Sequence, residues 1–410
     1  MRVTNSMSSA NVLTNISRSS QKLYELQNQL SSGKKISKPS DNPTNINRLM
    51  GFTEDINRRE QYSNNIDTML VNLNTTDGIL FTLTEQVNNV EVTLNQYANS
   101  ALTSGNGDVL ASDVENIFEG IMDLANSSLN GRYIFGGYNV ANPPFEVVGD
   151  RVKYNGTDDL IMVDVGDNES LPVSISGIEL FSIHRMEGTK YMSSAEQSIY
   201  PAPESDQIRI TVGDQTTDIT IGHNAILGMT LQDVADSINN AGAGANAVIE
   251  KTSTGSRLKL ISEYVGSDGE IVVEDMAPGG VFHKLGLLDE ANEFVGIQND
   301  PSGGVLSTVL SIKNKMQAGE YDLDEEVNAL ETGRNGVIKA HAQVGIFTQS
   351  LEQRKSFLID LIIQQKSLRS DTEDIDYAEV MTEYNAEMMA YQAAIKVGAD
   401  IIRPTLLDYL

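Results

Sequence analysis

Apolar residues recur every seven positions along three long stretches of this chain. Between 45 and 103, Ile66, Leu73, Leu80, Val87, Leu94 and Ala101 keep that interval, and Met69, Leu83, Val90 and Tyr97 sit three places further on. Between 322 and 368 the series is Leu323, Leu330, Val337, Val344, Leu351 and Leu358, with Ala340, Phe347 and Leu361 in the second set. Between 374 and 410 it is Met381, Met388, Ile395 and Ile402, with Tyr384 and Tyr391. Such a seam belongs to a helix that buries one narrow stripe against another helix. At about 1.5 Å per residue, the first stretch predicts a rod on the order of 80 Å long. Residues 1–32 carry a further stripe, Val12, Ile16, Leu23, Leu26 and Leu30. Ser and Asn fill the places between, so this helix has modest propensity and needs a partner. Shorter helices are expected at 109–130, with Val114, Ile117, Ile121 and Leu124 on one face, and at 304–317.

Breaks in the pattern mark the boundaries. Gly33 is placed to end the first helix, and Pro39 and Pro43 hold the next residues extended. Asp41 or Thr44 is expected to cap the helix that follows. The middle of the chain changes character. GRYIFGGYNVANPPFEVVGDRVKYNG, LIMVDV, LPVSI and IELFSI read as strands and turns. IRITV, DITI, the helix LQDVADSIN, NAVIEK, RLKLIS and EIVVED follow as a small α+β unit. The fold class is mainly α with a β-rich insertion: terminal helices that pair, a long coiled-coil-like rod, and a looped-out β and α+β domain. The expected domains are 1–44 with 369–410 as terminal assembly segments and 45–137 with 301–368 as the rod. Residues 138–199 form a β-rich part of the rod or linker, and 200–300 an α+β outer insertion.

Composition narrows the chemistry. The chain has no cysteine, which excludes disulfides, thiolate nucleophiles and Cys-based zinc sites. A net charge of -28 argues against a nucleic-acid partner. No window approaches the roughly 18 apolar residues of a membrane span. The first residues, MRVTNSMSSANVLTNIS, lack the apolar core of a cleavable signal. A cytoplasmic protein, or one exported without a cleavable signal, fits both facts. His184, His223, His283 and His341 are far apart, and no HExxH, P-loop or nucleophile elbow is present. GAGANA at 242–247 matches a dinucleotide fingerprint, but it follows a helix and precedes a strand, the reverse of that fold. No catalytic, cofactor or metal site is expected.

The two ends differ in charge. Residues 1–40 hold six basic residues and one acidic, a net of +5, while 369–410 hold three basic and nine acidic, a net of -6. Opposite signs favour pairing of the ends with each other or with copies. Exposed pairs contribute only about 0.2–1 kcal/mol each, so charge selects the partner more than it holds the pair.

These ends resemble a known family. LQNQLSSGKKISKPSDNP is similar to the close of the first helix in bacterial flagellins and their relatives. NAEMMAYQAAIKVGADIIRPTLLDYL resembles the matching C-terminal helix. SDNPTN, with Pro43 where filament subunits place small residues, and GRYIFGG at 131–137 resemble the branch that joins hook and filament; Asn42 departs from that branch, which commonly has a second Asp there. The strands from IRITV to RLKLIS are similar to a motif inserted in flagellins and hook-associated proteins. The resemblance implies a non-enzymatic structural subunit, exported unfolded through the flagellar type III apparatus and sited outside the cell at the hook–filament junction. Its implied partners are neighbouring copies of itself, a hook-side hook-associated protein, flagellin, and a cytoplasmic export chaperone at the C-terminal helix. Neither nucleic acid nor membrane is implied.

The terminal stripes Val12, Ile16, Leu23, Leu26 and Leu30, and Met381, Tyr384, Met388, Tyr391, Ile395 and Ile402, are the expected assembly surface. Before assembly they are expected to be disordered. The alternatives are flagellin itself, a secreted enzyme with its chemistry in 138–300, and a cytoplasmic coiled-coil scaffold with ordered termini.

Overall fold

Heptad spacing becomes burial in the long helices. The computed structural model describes residues 5–36, 38, 42–100, 107–172, 174–200, 206–222, 228–299, 301 and 303–402, with backbone alone at 5–9, 100, 200 and 400–402. Its helices are α1 (Asn5–Ser32), α2 (Pro43–Ser100), α3 (Gly107–Ala125), α4 (Gly177–Leu180), α5 (Leu231–Ala241), α6 (Val281–Lys284), α7 (Val305–Gln317), α8 (Asp324–Glu373) and α9 (Tyr377–Ile402). Two compact units divide the chain, residues 1–64 with 353–410 and residues 65–352, and both divisions fall inside continuous helices, α2 and α8.

In the 65–352 unit, α2 buries Ile66, Met69, Leu73, Thr76, Leu80, Leu83, Val87, Val90, Leu94 and Tyr97. The spacing alternates three and four, which keeps one stripe facing a partner only if the helix supercoils. Leu330, Val337, Val344 and Leu351 of α8 are buried likewise. The two helices run antiparallel. Glu91 pairs with Arg334 at 3.0 Å, Asp77 with His341 at 2.8 Å, and Tyr97 stacks on Tyr321 with centroids 4.9 Å apart. Ala101, the last of the predicted α2 series, lies outside the described residues. Helix α3 packs on α7 through Ala111, Val114, Phe118, Ile121 and Ala125. Ile117 and Leu124, expected on that face, are half-buried.

The GRYIFGG segment is a structural clamp. Asn130 and Gly131 both take positive φ, 54° and 76°, and join Ser128–Leu129 to Arg132–Tyr133 in a two-residue hairpin. Phe135 is fully buried, and its carbonyl accepts a 3.0 Å hydrogen bond from the Tyr154 hydroxyl. Burial, then the Asp158 carboxylate, pushes that phenol well above its ordinary range. A Cβ on Gly137 would meet Thr157 O at 2.4 Å, so the segment closes only with glycine there.

Beyond the clamp, one strand joins the two halves of the middle region. Gly255–Val265 pairs with Ala245–Thr252, with Ile183–Glu187 and, at Tyr264, with Arg151–Tyr154. Its register shifts between Ile261 and Val265, the irregularity that lets one strand serve several neighbours. Residues 138–199 and 200–298 therefore share a sheet instead of forming separate units. The second sheet, with order Gln215–Ile221, Asp206–Val212, Ile271–Asp275, packs its Ile208, Ile210 and Val212 with Leu231, Val234 and Ile238 of α5 in one core. Thr230 and Asp233 form a capping box on α5, and Gly242 ends it at φ 62°. IELFSI, expected as a strand, is instead the one-turn helix α4. The Ser176 hydroxyl accepts the Ile178 N–H and starts a turn that buries Ile178, Leu180 and Phe181.

A charge network lies across the shared sheet. Lys259 reaches Asp158 at 2.6 Å and Glu250 at 3.2 Å. Arg257 holds Glu187 at 2.5 Å and also binds Glu250. Arg185 bonds Glu187 at 3.1 Å and Asp158 at 3.3 Å. Burial disfavours the Glu250 carboxylate, but hydrogen bonds from Arg257 and Lys259 outweigh it and hold its pKa below the usual range. Burial also disfavours the Lys259 ammonium, and Asp158 more than offsets it, so its pKa is raised. The depressed carboxylate contributes stability that is present above about pH 4.5 and lost as pH falls below it. The raised lysine contributes stability that is present below about pH 10 and lost above it. Urea unfolding of the 65–352 unit is expected to show a plateau between those limits. A midpoint that keeps rising below pH 4 would contradict the network's role.

Candidate assembly surface on the terminal helices

The 1–64 and 353–410 unit is built around α1 and α9. Gly33 stops α1 in the left-handed conformation, φ 72°, with its N–H donating to Gln29 O at 2.8 Å. The chain then lies beside the end of α8. Lys35 N donates to Glu373 O at 2.6 Å, Ile375 N donates to Gly33 O at 3.1 Å, and Lys34 pairs with Glu373. Asp376 caps α9, its carboxylate accepting the Ala378 N–H at 2.8 Å. For α2, Asn42 is the cap, accepting the Asn45 N–H at 3.1 Å, with Pro43 in the first helical position. Thr44, expected to cap, is inside the helix, and Asp41 lies outside the described residues. Asn caps as well as Asp because either side-chain oxygen reaches the free N–H groups of the first turn.

From that root the helices run antiparallel. Ser19 Oγ donates to Glu387 Oε1 at 2.6 Å. Further along, a Cβ on Gly398 would meet Val12 Cγ1 at 2.9 Å and Ile16 Cδ1 at 3.5 Å. All five predicted α1 residues lie on the paired face. Leu26 is buried, and Val12, Ile16, Leu23 and Leu30 are half-buried with Ser19 among them.

On α9 the paired face is offset from the predicted stripe. Its least exposed residues are Val380, Tyr384, Glu387, Met388, Tyr391, Ala394 and Gly398. All but Met388 follow one three-four spacing, and Tyr384 and Tyr391 belong to that face. Met381 and Ile395 do not: they remain 52% and 44% exposed. At about 100° per residue, Met381, Met388 and Ile395 lie roughly 60–100° round the helix from the centre of the paired face. The structure thus separates the expected set into the paired stripe with Tyr384 and Tyr391 and a neighbouring one on which Met381 and Ile395 are exposed and Met388 is half-buried. Ile402 ends α9, and its side chain lies outside the described residues.

Sequence reasoning missed Ser19, Val380, Glu387, Ala394 and Gly398. Their signal was spacing alone, since 384, 391 and 398 are seven apart, as are 380, 387 and 394. Small and polar residues there are invisible to a count of large apolar side chains.

Among the described residues, no group of three or more His, Asp or Glu is placed to hold a metal ion. His184 accepts the Ile271 N–H in the interior, and His223 lies outside the described residues. A cleft of about 370 Å³ between α2 and α8 is lined by Val87, Leu94, Tyr321, Leu323, Asp324 and Leu330 and rimmed by the Glu91–Arg334 pair.

Residues 3–140 match the model of the bacterial flagellin N-terminal helical region, a span that closes just past the clamp. Flagellar hook-associated protein 3 of Escherichia coli is 23% identical over 404 residues, 98% of this chain and 97% of that protein. Its counterpart in Salmonella typhimurium is 25% identical over 185 residues, 44% of this chain and 57% of that protein's length. A solved flagellar hook-associated protein from Vibrio parahaemolyticus superposes with a TM-score of 0.49 at 11% identity, covering 82% of this chain and all of that one. Hook-associated protein 3 from Legionella pneumophila gives 0.47 at 14%, covering 79% and 98%.

Substituting Gly398→Val is expected to force α1 and α9 apart. Overpacking of this kind costs about 1–3 kcal/mol, which makes opening of the pair about 5- to 150-fold more frequent. Hydrogen exchange at 12–30 should quicken accordingly while amides of the 65–352 unit keep their rates. Unchanged exchange at 12–30 would contradict the close approach.

Proposed function

We propose that this chain, a member of the bacterial flagellin superfamily, is a structural subunit that joins the hook-side hook-associated proteins to the flagellin filament. The observation that carries the reading beyond family likeness is the uncovered stripe on α9. Met381, Met388 and Ile395 flank a face already occupied by α1, so their partner comes from outside the chain. Neighbouring copies supply it, and α1 and α9, within the segments 1–44 and 369–410, are the assembly elements. Residues 45–137 and 301–368 serve as the rod, and 138–300 as an insertion.

The physical case has three parts. Burying a large apolar side chain contributes about 1.5–3 kcal/mol, so a few such residues offset much of the cost of ordering the terminal helices. In the free subunit the pair is weakly held, since Leu26 and Val380 are the large side chains it buries among the described residues, and it opens easily. An opened pair suits passage through the type III export apparatus, and the apolar α9 is the segment a cytoplasmic chaperone covers beforehand. The subunit performs no catalysis in this reading and resides outside the cell.

Cells whose only copy stops at residue 376 are expected to build hooks without filaments, scored by electron microscopy. Normal filaments on such cells would rule out α9 as an assembly element. Immunogold labelling of the full chain should mark the hook–filament boundary, and label along the filament would identify a filament subunit instead. In limited proteolysis of the purified chain, α1 and α9 should be cut before the 65–352 unit. Equal protection would favour a preformed scaffold.

A further inference from the structure

We infer that Met381 and Met388 form an oxidation-sensitive site through which a hydroperoxide blocks assembly of the free subunit. The inference rests on the assembly reading of α9.

The chain has 14 methionines and no cysteine, so thiol chemistry is absent and thioethers are the readily oxidised side chains. Met50, Met162 and Met276 are exposed, at 66%, 51% and 45%, but lie off α9; position as well as exposure divides the rest. Met69, Met186, Met229 and Met316 lie in the interior of the 65–352 unit with 2% exposure or less. Met381 is 52% exposed and Met388 half-buried, seven residues apart on the uncovered stripe of α9. Met389 is 67% exposed on the far side of the same helix, roughly 180° from the face that meets α1. These two sites therefore combine access to a small oxidant with a position that must become apolar and dry.

The chemistry is a two-electron oxygen transfer. A thioether sulfur attacks one oxygen of hydrogen peroxide, the O–O bond breaks, and the second oxygen leaves as water after taking up a proton. The product sulfoxide is polar and chiral, where the thioether was flexible and apolar. Packing it against a neighbouring helix leaves an S=O acceptor buried without a donor. Oxidation is thus tolerated in the free chain and opposed by burial of the stripe. The converse holds too: once packed, the same sulfurs are shielded. Methionine sulfoxide reductase supplied with a dithiol would reverse the block: the dithiol is oxidised to a disulfide, the sulfoxide oxygen leaves as water and the thioether is restored.

The test uses the full chain and hook structures isolated from cells of the same bacterium that lack it. Chain treated with hydrogen peroxide should carry sulfoxide at Met381, Met388 and Met389 before the four interior methionines, read by mass spectrometry. Its co-sedimentation with the hooks should fall at least tenfold and return after treatment with sulfoxide reductases and a dithiol reductant. The double variant Met381→Leu, Met388→Leu keeps an apolar stripe of similar volume and leaves Met389 oxidisable. It should bind like the untreated parent before and after peroxide. Undiminished binding of oxidised parent overturns the inference, and so does loss of binding by the oxidised double variant. Untreated parent that fails to bind hooks overturns the assembly reading instead, and the inference with it.

Discussion

A helix can hide one stripe against one neighbour, and α9 carries two. That constraint organises the terminal unit. Antiparallel pairing with α1 covers Val380, Tyr384, Tyr391, Ala394 and Gly398, and the remaining apolar positions are left to face outward. A two-helix hairpin has no further surface to offer them. In the proposed reading, burial of the second stripe comes from a neighbouring copy, and the terminal helices are completed in the assembly.

Within the pair, small and polar residues do the work of alignment. Gly398 lets the backbones approach where a larger residue would strike Val12. Ser19 and Glu387 sit in the seam between apolar neighbours, a hydrogen-bonded pair of the kind that specifies register at some cost in stability. At the root, backbone bonds between 33–35 and 373–375 fix where the helices begin. These three anchors lie at separate points along the pair, so one alignment satisfies all of them.

Much of the architecture was legible from period. Seven-residue spacing located α2, α8 and α9, because a seam that must face one partner over many turns leaves a repeat that loops and sheets do not imitate. On α1 the apolar spacing coincides with the least exposed face: Leu26 is buried and Val12, Ile16, Leu23 and Leu30 are half-buried. On α9 the expected set spans two stripes, and the structure pairs one of them with α1. Large side chains mark both of its stripes, and apolarity alone does not say which one an internal neighbour takes. α4 was misread because Ile178, Leu180 and Phe181 suit a strand as well as a buried turn, and the decision belongs to the Ser176 cap. The union of two middle segments in one sheet was not legible either. Strand pairing across a hundred residues depends on partners that local pattern does not name.

The strand Gly255–Val265 has a consequence for how the molecule can be altered. Because it borders pieces from both parts of the middle region, it acts as a keystone, and neither part can be excised or exchanged alone without baring the edge of the other. Evolution and engineering alike must treat 138–298 as one cassette. The tolerant places within it are tips remote from the keystone, such as the exposed turn at 167–168 between Met162–Gly166 and Glu169–Pro172. A fluorophore or epitope carried there would ride on a hairpin whose strands form a two-stranded sheet of their own, tied to α2 where the Asn65 amide donates to Asp164 O at 2.8 Å, leaving the shared sheet intact.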